Sequence, residues 1–236
     1  MGFFSSELAI IAYRGASAYE PENTLPAISK ALELEADGVL VDVNATKDGV
    51  LIAFADDKVL VEGKEVYLGE IEYSVLREKV RLSKECYVPT LDEVIDLVKG
   101  RAKIVLVPKT EGVERTIINK LGEKGVLNDA VVASKNIEVL RRFKDLEQSI
   151  KLANIVSHPF PHVDNLRRQG ISFIVMPPGL IRGRIVKEAH TRGLEVIAWV
   201  INDAATLSKV VNLGVDAVIT EKPDIRREMR HLIEKY

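Results

Sequence analysis

Cysteine is nearly absent. Cys86 stands alone in 236 residues, so no internal disulfide is possible and a reducing, cytoplasmic setting is expected. Glutamine is almost as scarce: Gln148 and Gln169 stand against 33 Lys and Arg and 35 Asp and Glu, a balance that leans towards a thermophilic source. No apolar run reaches the roughly 18 to 20 residues that a membrane-spanning helix needs. The opening MGFFSS lacks the basic segment, apolar stretch and cleavage site of a signal peptide and is not read as one. It does fit the acylation pattern M-G-x-x-x-S, but without a polybasic partner the match is read as coincidence. A net charge of -2, with both signs intermixed, leaves no footprint for nucleic acid or a membrane surface. Gly-rich phosphate loops and a G-x-S-x-G nucleophile elbow are also missing.

What is present suits a large buried core. Hydrophobic residues make up 47% of the chain and charged ones 29%, and the length matches one α/β barrel, so a single domain over residues 1–236 is expected. Short β-branched runs fall at 9–12, 39–43, 50–54, 103–107, 130–133, 150–153, 172–175, 196–200 and 217–219. Helical patterns fall between them at 25–34, 91–99, 113–124, 137–143, 181–192 and 204–213. Such alternation gives a parallel sheet wrapped in helices, with an open doubly wound sheet as the alternative to a closed barrel. Nine strands are one too many for an eight-stranded barrel. Lys47-Asp48-Gly49 resolves the excess, because it is a tight-turn signal with no room for a helix. The fold class expected is therefore α/β, an irregular TIM (β/α)8 barrel with a β-hairpin around Asp48-Gly49. Residues 57–89 are the least regular and read as an excursion over one barrel face. A helix follows them, started by the capping box Thr90-Leu91-Asp92-Glu93.

In such a barrel the chemistry sits where the strands end. The first strand ends at Tyr13-Arg14-Gly15, which points the donor fork of Arg14 into the barrel mouth. Its partner there is either a phosphate or a carboxylate such as Glu22 or Asp42. Pro21-Glu22-Asn23-Thr24 reads as a turn and helix start whose role can be wholly architectural. Asp42 interrupts an apolar strand, where a carboxylate is costly without a partner. Trp199, the single Trp, lies on a strand and is equally well a pocket wall or a core side chain. His158-Pro159-Phe160-Pro161-His162, with Asp164 beyond, is read as an exposed loop. The two prolines stop a helix from aligning both imidazoles on a metal.

The stretch IAYRGASAYEPENTLPAISKALELEADGVLVDVNATKDGVLIAFAD, from Ile11 to Asp56, resembles the opening of the glycerophosphodiester phosphodiesterase family. VPTLDEV, the strand leading to Lys109, and GVDAVIT extend the likeness in the family's order as far as Pro223. The resemblance implies a barrel of the phospholipase-C-like phosphodiesterase type. It also implies hydrolysis of glycerophosphodiesters to glycerol 3-phosphate and an alcohol with Mg²⁺ or Ca²⁺, and a role in lipid metabolism. Against the family pattern, Tyr13 and Ala55 replace two His, and Leu40 and Val107 replace two Glu, while Arg14, Asp42 and Lys109 remain.

One carboxylate of three is too few for a tight Mg²⁺ or Ca²⁺ site. Tyr titrates near pH 10 and Ala transfers no proton, so the acid–base pair is missing as well. No catalytic residue, metal or other cofactor is assigned, and Arg14, Asp42, Lys109 and Trp199 are the expected ligand-binding residues. Two cations and one carboxylate sum to +1, about what a family-type site carries with its metal, so a metal-free mouth for a phosphorylated small molecule or another anion is expected. The alternative is an internal Arg14–Asp42–Lys109 ion-pair network without a ligand. The leading expectation is a catalytically silent or strongly impaired phosphodiesterase-like protein. One alternative is a weak or redirected phosphodiesterase drawing on Asp56, Asp57 or Glu111. Another is a subunit that supports a protein partner, or a second copy of itself, through a barrel face.

Overall fold

A computed structural model describes residues 3–4, 8–83, 86–225 and 227. Apart from Phe3 and Phe4, the acylation-pattern match lies outside them. Among the described residues the order begins β1 (Ala9–Tyr13), α1 (Leu25–Glu33), β2 (Gly38–Ala45), β3 (Leu51–Ala53), β4 (Lys58–Val61), β5 (Lys64–Tyr67) and α2 (Tyr73–Lys79). It continues α3 (Leu91–Val98), β6 (Lys103–Pro108), α4 (Glu114–Glu123), β7 (Ala130–Ser134), α5 (Ile137–Leu146) and β8 (Lys151–Ile155). It ends α6 (Val163–Arg168), β9 (Phe173–Met176), α7 (Gly183–Thr191), β10 (Glu195–Trp199), α8 (Ala204–Asn212) and β11 (Ala217–Thr220). Strands β1, β2, β6, β7, β8, β9, β10 and β11 pair in parallel in that order, and β11 pairs back with β1 to close a barrel. No helix among the described residues is long and apolar enough to cross a membrane.

β3 is the surplus strand. It runs antiparallel to β2, pairing Val43 with Ala53 and Ala45 with Leu51, as the turn signal requires. Gly49 supplies the positive φ of that turn, and its N–H donates to the Thr46 carbonyl. The Thr46 hydroxyl and the Tyr73 N–H both donate to Asp48 Oδ1, so this turn also anchors the start of α2.

Strict alternation along each barrel strand builds two separate cores. Ile10, Ala12, Val39, Val41, Leu106 and Val132 face outward against the helices. Ala9, Ile11, Leu40, Val105, Val131 and Ala133 face the barrel interior. Phe4 packs on Phe173 in this inner cluster, with ring centroids 6.1 Å apart, and fills the end of the barrel away from the strand C-termini.

The irregular stretch holds more structure than its sequence suggested. The described residues of 57–89 include the β4–β5 hairpin and α2, which pack around a third, small core of Ile52, Val59, Leu68, Ile71, Leu76 and Val88. These elements were not expected because each is short, and their apolar residues reach a core only together with residues from other segments, such as Ile52 of β3 and Val88. α6 was likewise missed, having only six residues. The capping box at Thr90 is present, with Thr90 and Glu93 each accepting the other's backbone N–H.

Gly15 has a specific task. Its φ is +82°, and a Cβ there would lie 2.6 to 2.8 Å from backbone and side-chain atoms of Ala27, so glycine lets α1 seat against the end of β1. Gly49 has a similar φ of +76° but open space around it. Gly15→Ala should therefore lower stability by roughly 2–4 kcal/mol, and Gly49→Ala by only about 1 kcal/mol, since the second change carries the left-handed penalty without the clash. Urea unfolding at constant m checks this; equal losses would contradict the role given to Gly15.

Candidate functional site

A cavity of about 380 Å³ opens at the strand C-termini, where the predicted residues Arg14, Asp42, Lys109 and Trp199 all line it. β1 delivers Tyr13 and Arg14, β2 delivers Leu40 and Asp42, β6 delivers Val107 with Lys109 just beyond, and β10 delivers Trp199. Parallel pairing sets Asp42 level with Val107 and Leu40 level with Val105. The Lys109 N–H donates to the Val43 carbonyl, which holds Lys109 beside β2.

Asp42 is the centre of the polar group and is only 2% exposed. Its Oδ2 lies 2.6 Å from Arg14 Nε, and its Oδ1 lies 2.9 Å from Lys109 Nζ. The Arg14 contact is an ion pair and not an aligned hydrogen bond, because the Nε–H lacks an acceptor in suitable geometry. Asn23 Nδ2 donates to Oδ2 at 3.3 Å, and Asn23 Oδ1 accepts the Asp42 backbone N–H at 3.1 Å. Arg14 NH1 donates to both oxygens of Glu22 at 2.8 Å. The two carboxylates named from sequence as partners of Arg14 thus both engage it.

Two corrections follow. The charge of +1 omitted Glu22: with Arg14 and Lys109 positive and Asp42 and Glu22 negative, the linked group is neutral. Exposed Lys135, after β7, restores a positive charge at the rim of the same cavity. The tetrapeptide at 21–24 is also more than a helix start. Thr24 caps α1 as expected, accepting the Ala27 N–H, but Asn23 is buried and reaches across to Asp42. Asn23 sits at φ +57°, a left-handed conformation that Asn tolerates better than most residues, and its N–H donates to the Arg14 carbonyl. Only its preference for such turns pointed to it in the sequence.

The donor set does not suit a divalent cation. Both Asp42 oxygens already face cationic or amide donors, and Leu40 and Val107 put carbon where more oxygen ligands would be needed. Among the described residues no group of three or more His, Cys, Asp or Glu side chains is arranged to hold a metal. Asp56, Asp57 and Glu111 are exposed and do not line the cavity. Ala55 lies to one side, lining a separate hollow with Glu22 and Asp56. His158 and His162 are exposed on their loop, and Asp164 pairs with Arg192.

Aromatic groups flank the cations. The Arg14 guanidinium carbon lies 4.8 Å from the Tyr13 ring centroid, and Tyr13 meets Trp199 edge to face at 6.0 Å. Trp199 both packs on the inner core and walls the cavity, so the two readings of it from sequence coincide. Burial opposes charge on Arg14, but the Glu22 hydrogen bond and the nearby Asp42 outweigh it and hold the guanidinium above its ordinary pKa. Burial pushes the Tyr13 phenol up, with Arg14 opposing and Asp42 and Glu22 adding to the rise.

Between the ordinary value of 10.0 and its higher folded value, Tyr13 keeps a proton in the folded state that the unfolded chain has lost. Stability should therefore fall as pH rises through that window. Tyr13→Phe should make the stability–pH curve shallower above pH 10, checked by urea unfolding in stepped alkaline buffers; an unchanged slope would contradict the assignment.

The profile of the glycerophosphoryl diester phosphodiesterase family matches residues 14–225. A glycerophosphodiester phosphodiesterase of Caldanaerobacter subterraneus subsp. tengcongensis is 28% identical, covering 91% of this chain and 94% of that protein. One of Bacillus altitudinis is 26% identical over 94% of this chain and 99% of its own length. A solved Oleispira antarctica phosphodiesterase in complex with the product sn-glycerol-3-phosphate has the same fold, with a TM-score of 0.86 at 23% identity, over 98% of this chain and all of that one (100%). By the match over nearly its whole length, this chain belongs to the glycerophosphoryl diester phosphodiesterase family.

Proposed function

We propose that this chain is a non-hydrolytic member of its family that binds a phosphorylated small molecule at the barrel mouth without a metal. The observation that carries the reading is the double engagement of Asp42, whose two oxygens are held by Arg14 and Lys109. Side-chain cations take the place that a divalent ion would need. Hydrolysis by the family's route would also need a group to activate the nucleophile and one to protonate the leaving alkoxide. Tyr13 and Ala55 supply neither near neutral pH, because burial holds the Tyr13 proton more tightly than usual.

Anion capture has a physical route. Lys109 has three donors and one partner among the described residues, so it has capacity to spare for a phosphate oxygen. Glu22 is 48% exposed and grips Arg14 from the solvent side. An incoming phosphate displaces Glu22 from NH1, exchanging one anion for another while Arg14 Nε stays on Asp42. Lys135 adds attraction at the rim.

A second reading is residual hydrolysis of glycerophosphodiesters to glycerol 3-phosphate and an alcohol, which rests on family membership and on the product bound to the Oleispira antarctica neighbour. Assays with excess Mg²⁺, Ca²⁺ or Mn²⁺ against a chelator separate the two. We expect no turnover in either arm, and chelator-sensitive turnover would refute the proposal. Binding of inorganic phosphate by calorimetry should be indifferent to chelator and weakened about 10- to 100-fold by Lys109→Met, the loss of a charge-assisted hydrogen bond. Glu22→Gln should tighten the same binding by about 5-fold, because it removes the competing charge from Arg14. No effect of Lys109→Met on affinity would place the anion elsewhere.

A further inference from the structure

The cavity below the ion-pair network has an unusual composition for a site that would hold a polyol phosphate. Its polar and charged side chains, among them Tyr13, Arg14, Asp42, Lys109, Asn136 and Trp199, lie towards the C-terminal ends of the strands or in the loops just beyond them. Beneath them the walls are hydrocarbon, from Leu40, Val105, Ala133, Ala153, Ile197 and Ile219. Two of these are alanines, and they lie side by side, since Ala133 of β7 pairs with Ala153 of β8. Alanine at both positions leaves open space in this wall of the cavity that larger side chains would fill. The Phe4–Phe173 packing lies deeper in the same inner cluster.

We infer that the ligand is a phosphate monoester with a compact apolar tail, its phosphate at Arg14 and Lys109 and its tail directed down the barrel axis between Leu40 and Ala153. This rests on the anion-binding reading and adds the chemistry of the organic part. Leu40 and Val107 make the floor of the mouth carbon beside Asp42. A glycerol moiety directed down among Leu40, Val105, Ala153 and Ile197 would bury hydroxyls away from the polar groups above, which is costly. An apolar tail loses nothing and leaves water, the usual division of labour in a small-molecule site with a few polar groups at one end. At about 30 Å³ per water-sized group, the 380 Å³ cavity holds roughly a dozen such groups. Beside a phosphate at the open end, that volume leaves room for a compact tail such as a phenyl or short branched alkyl group, and it falls at the small end of ligand pockets.

The test is calorimetric titration of the intact protein with inorganic phosphate, glycerol 3-phosphate, butyl phosphate, phenyl phosphate and decyl phosphate. Butyl and phenyl phosphate should bind at least about 10-fold more tightly than glycerol 3-phosphate, in line with the 10- to 200-fold value of a well-placed apolar group. Decyl phosphate, too long for a closed pocket, should bind more weakly than phenyl phosphate. Ala153→Leu should reduce the phenyl-to-inorganic affinity ratio towards one, and Ala133→Val, a smaller filling, should lower it in part if the first variant does not fold. Lys109-dependent binding of inorganic phosphate without preference for apolar tails would overturn this inference and leave the anion site standing. So would affinity that keeps rising to decyl phosphate, or a ratio unmoved in a folded variant. Failure of every phosphate compound to bind would remove both readings.

Discussion

The barrel mouth depends on one buried carboxylate. Asp42 sits on a strand whose neighbours are apolar, and an uncompensated charge there would not be tolerated in the folded state. Arg14 and Lys109 supply opposite charge from the strands on either side, and Asn23 closes the remaining hydrogen-bonding capacity from the turn before α1. The three partners come from different elements, so each can be placed only once β1, β2 and β6 have paired in register. Breaking any one leaves the others imperfectly matched, most severely for Arg14, since Lys109 is partly screened by solvent and Asn23 carries no charge.

The same arrangement links electrostatics to cavity shape. Where carboxylates would need a cation to coexist, this chain carries Leu40 and Val107, and the floor beneath Asp42 becomes apolar. Polar and apolar halves of the cavity are then stacked along the barrel axis, with the cations at the open end. Glu22 completes the balance from the exposed side. It neutralises Arg14 from the solvent side, where its exposure leaves that contact open to screening and exchange. Trp199 and Tyr13 wall the cationic end, which lowers the local dielectric and strengthens the remaining interactions.

Much of this was legible in the residues. Alternating β-branched runs located the barrel strands to within a residue or two, and Asp48-Gly49 correctly marked β3 as a hairpin partner, because turn chemistry is local. The capping box at Thr90 was equally local. By contrast, the β4–β5 hairpin and α2 were not visible, since their apolar residues form a core only together with Ile52 of β3 and Val88, across about thirty residues. Arg14, Asp42 and Lys109 were identified from strand-end position and from the family pattern. Asn23 was read as part of a helix start, because its contact lies 19 residues away on another strand.

The sequence alone determined the fold class, the barrel strands with most of their helices, and Arg14, Asp42 and Lys109 as the charges at the mouth, because periodicity, turn signals and residue chemistry are properties of short segments. Tertiary structure decided how those charges are partnered. Glu22 joins the network and brings it to neutrality, Lys135 stands at the rim, and Ala133 lies beside Ala153 to open the apolar floor. Those outcomes depend on strand register and on the turn that carries Asn23. Charge balance and cavity shape are sums over residues distant in sequence, and only closure of the barrel brings them together.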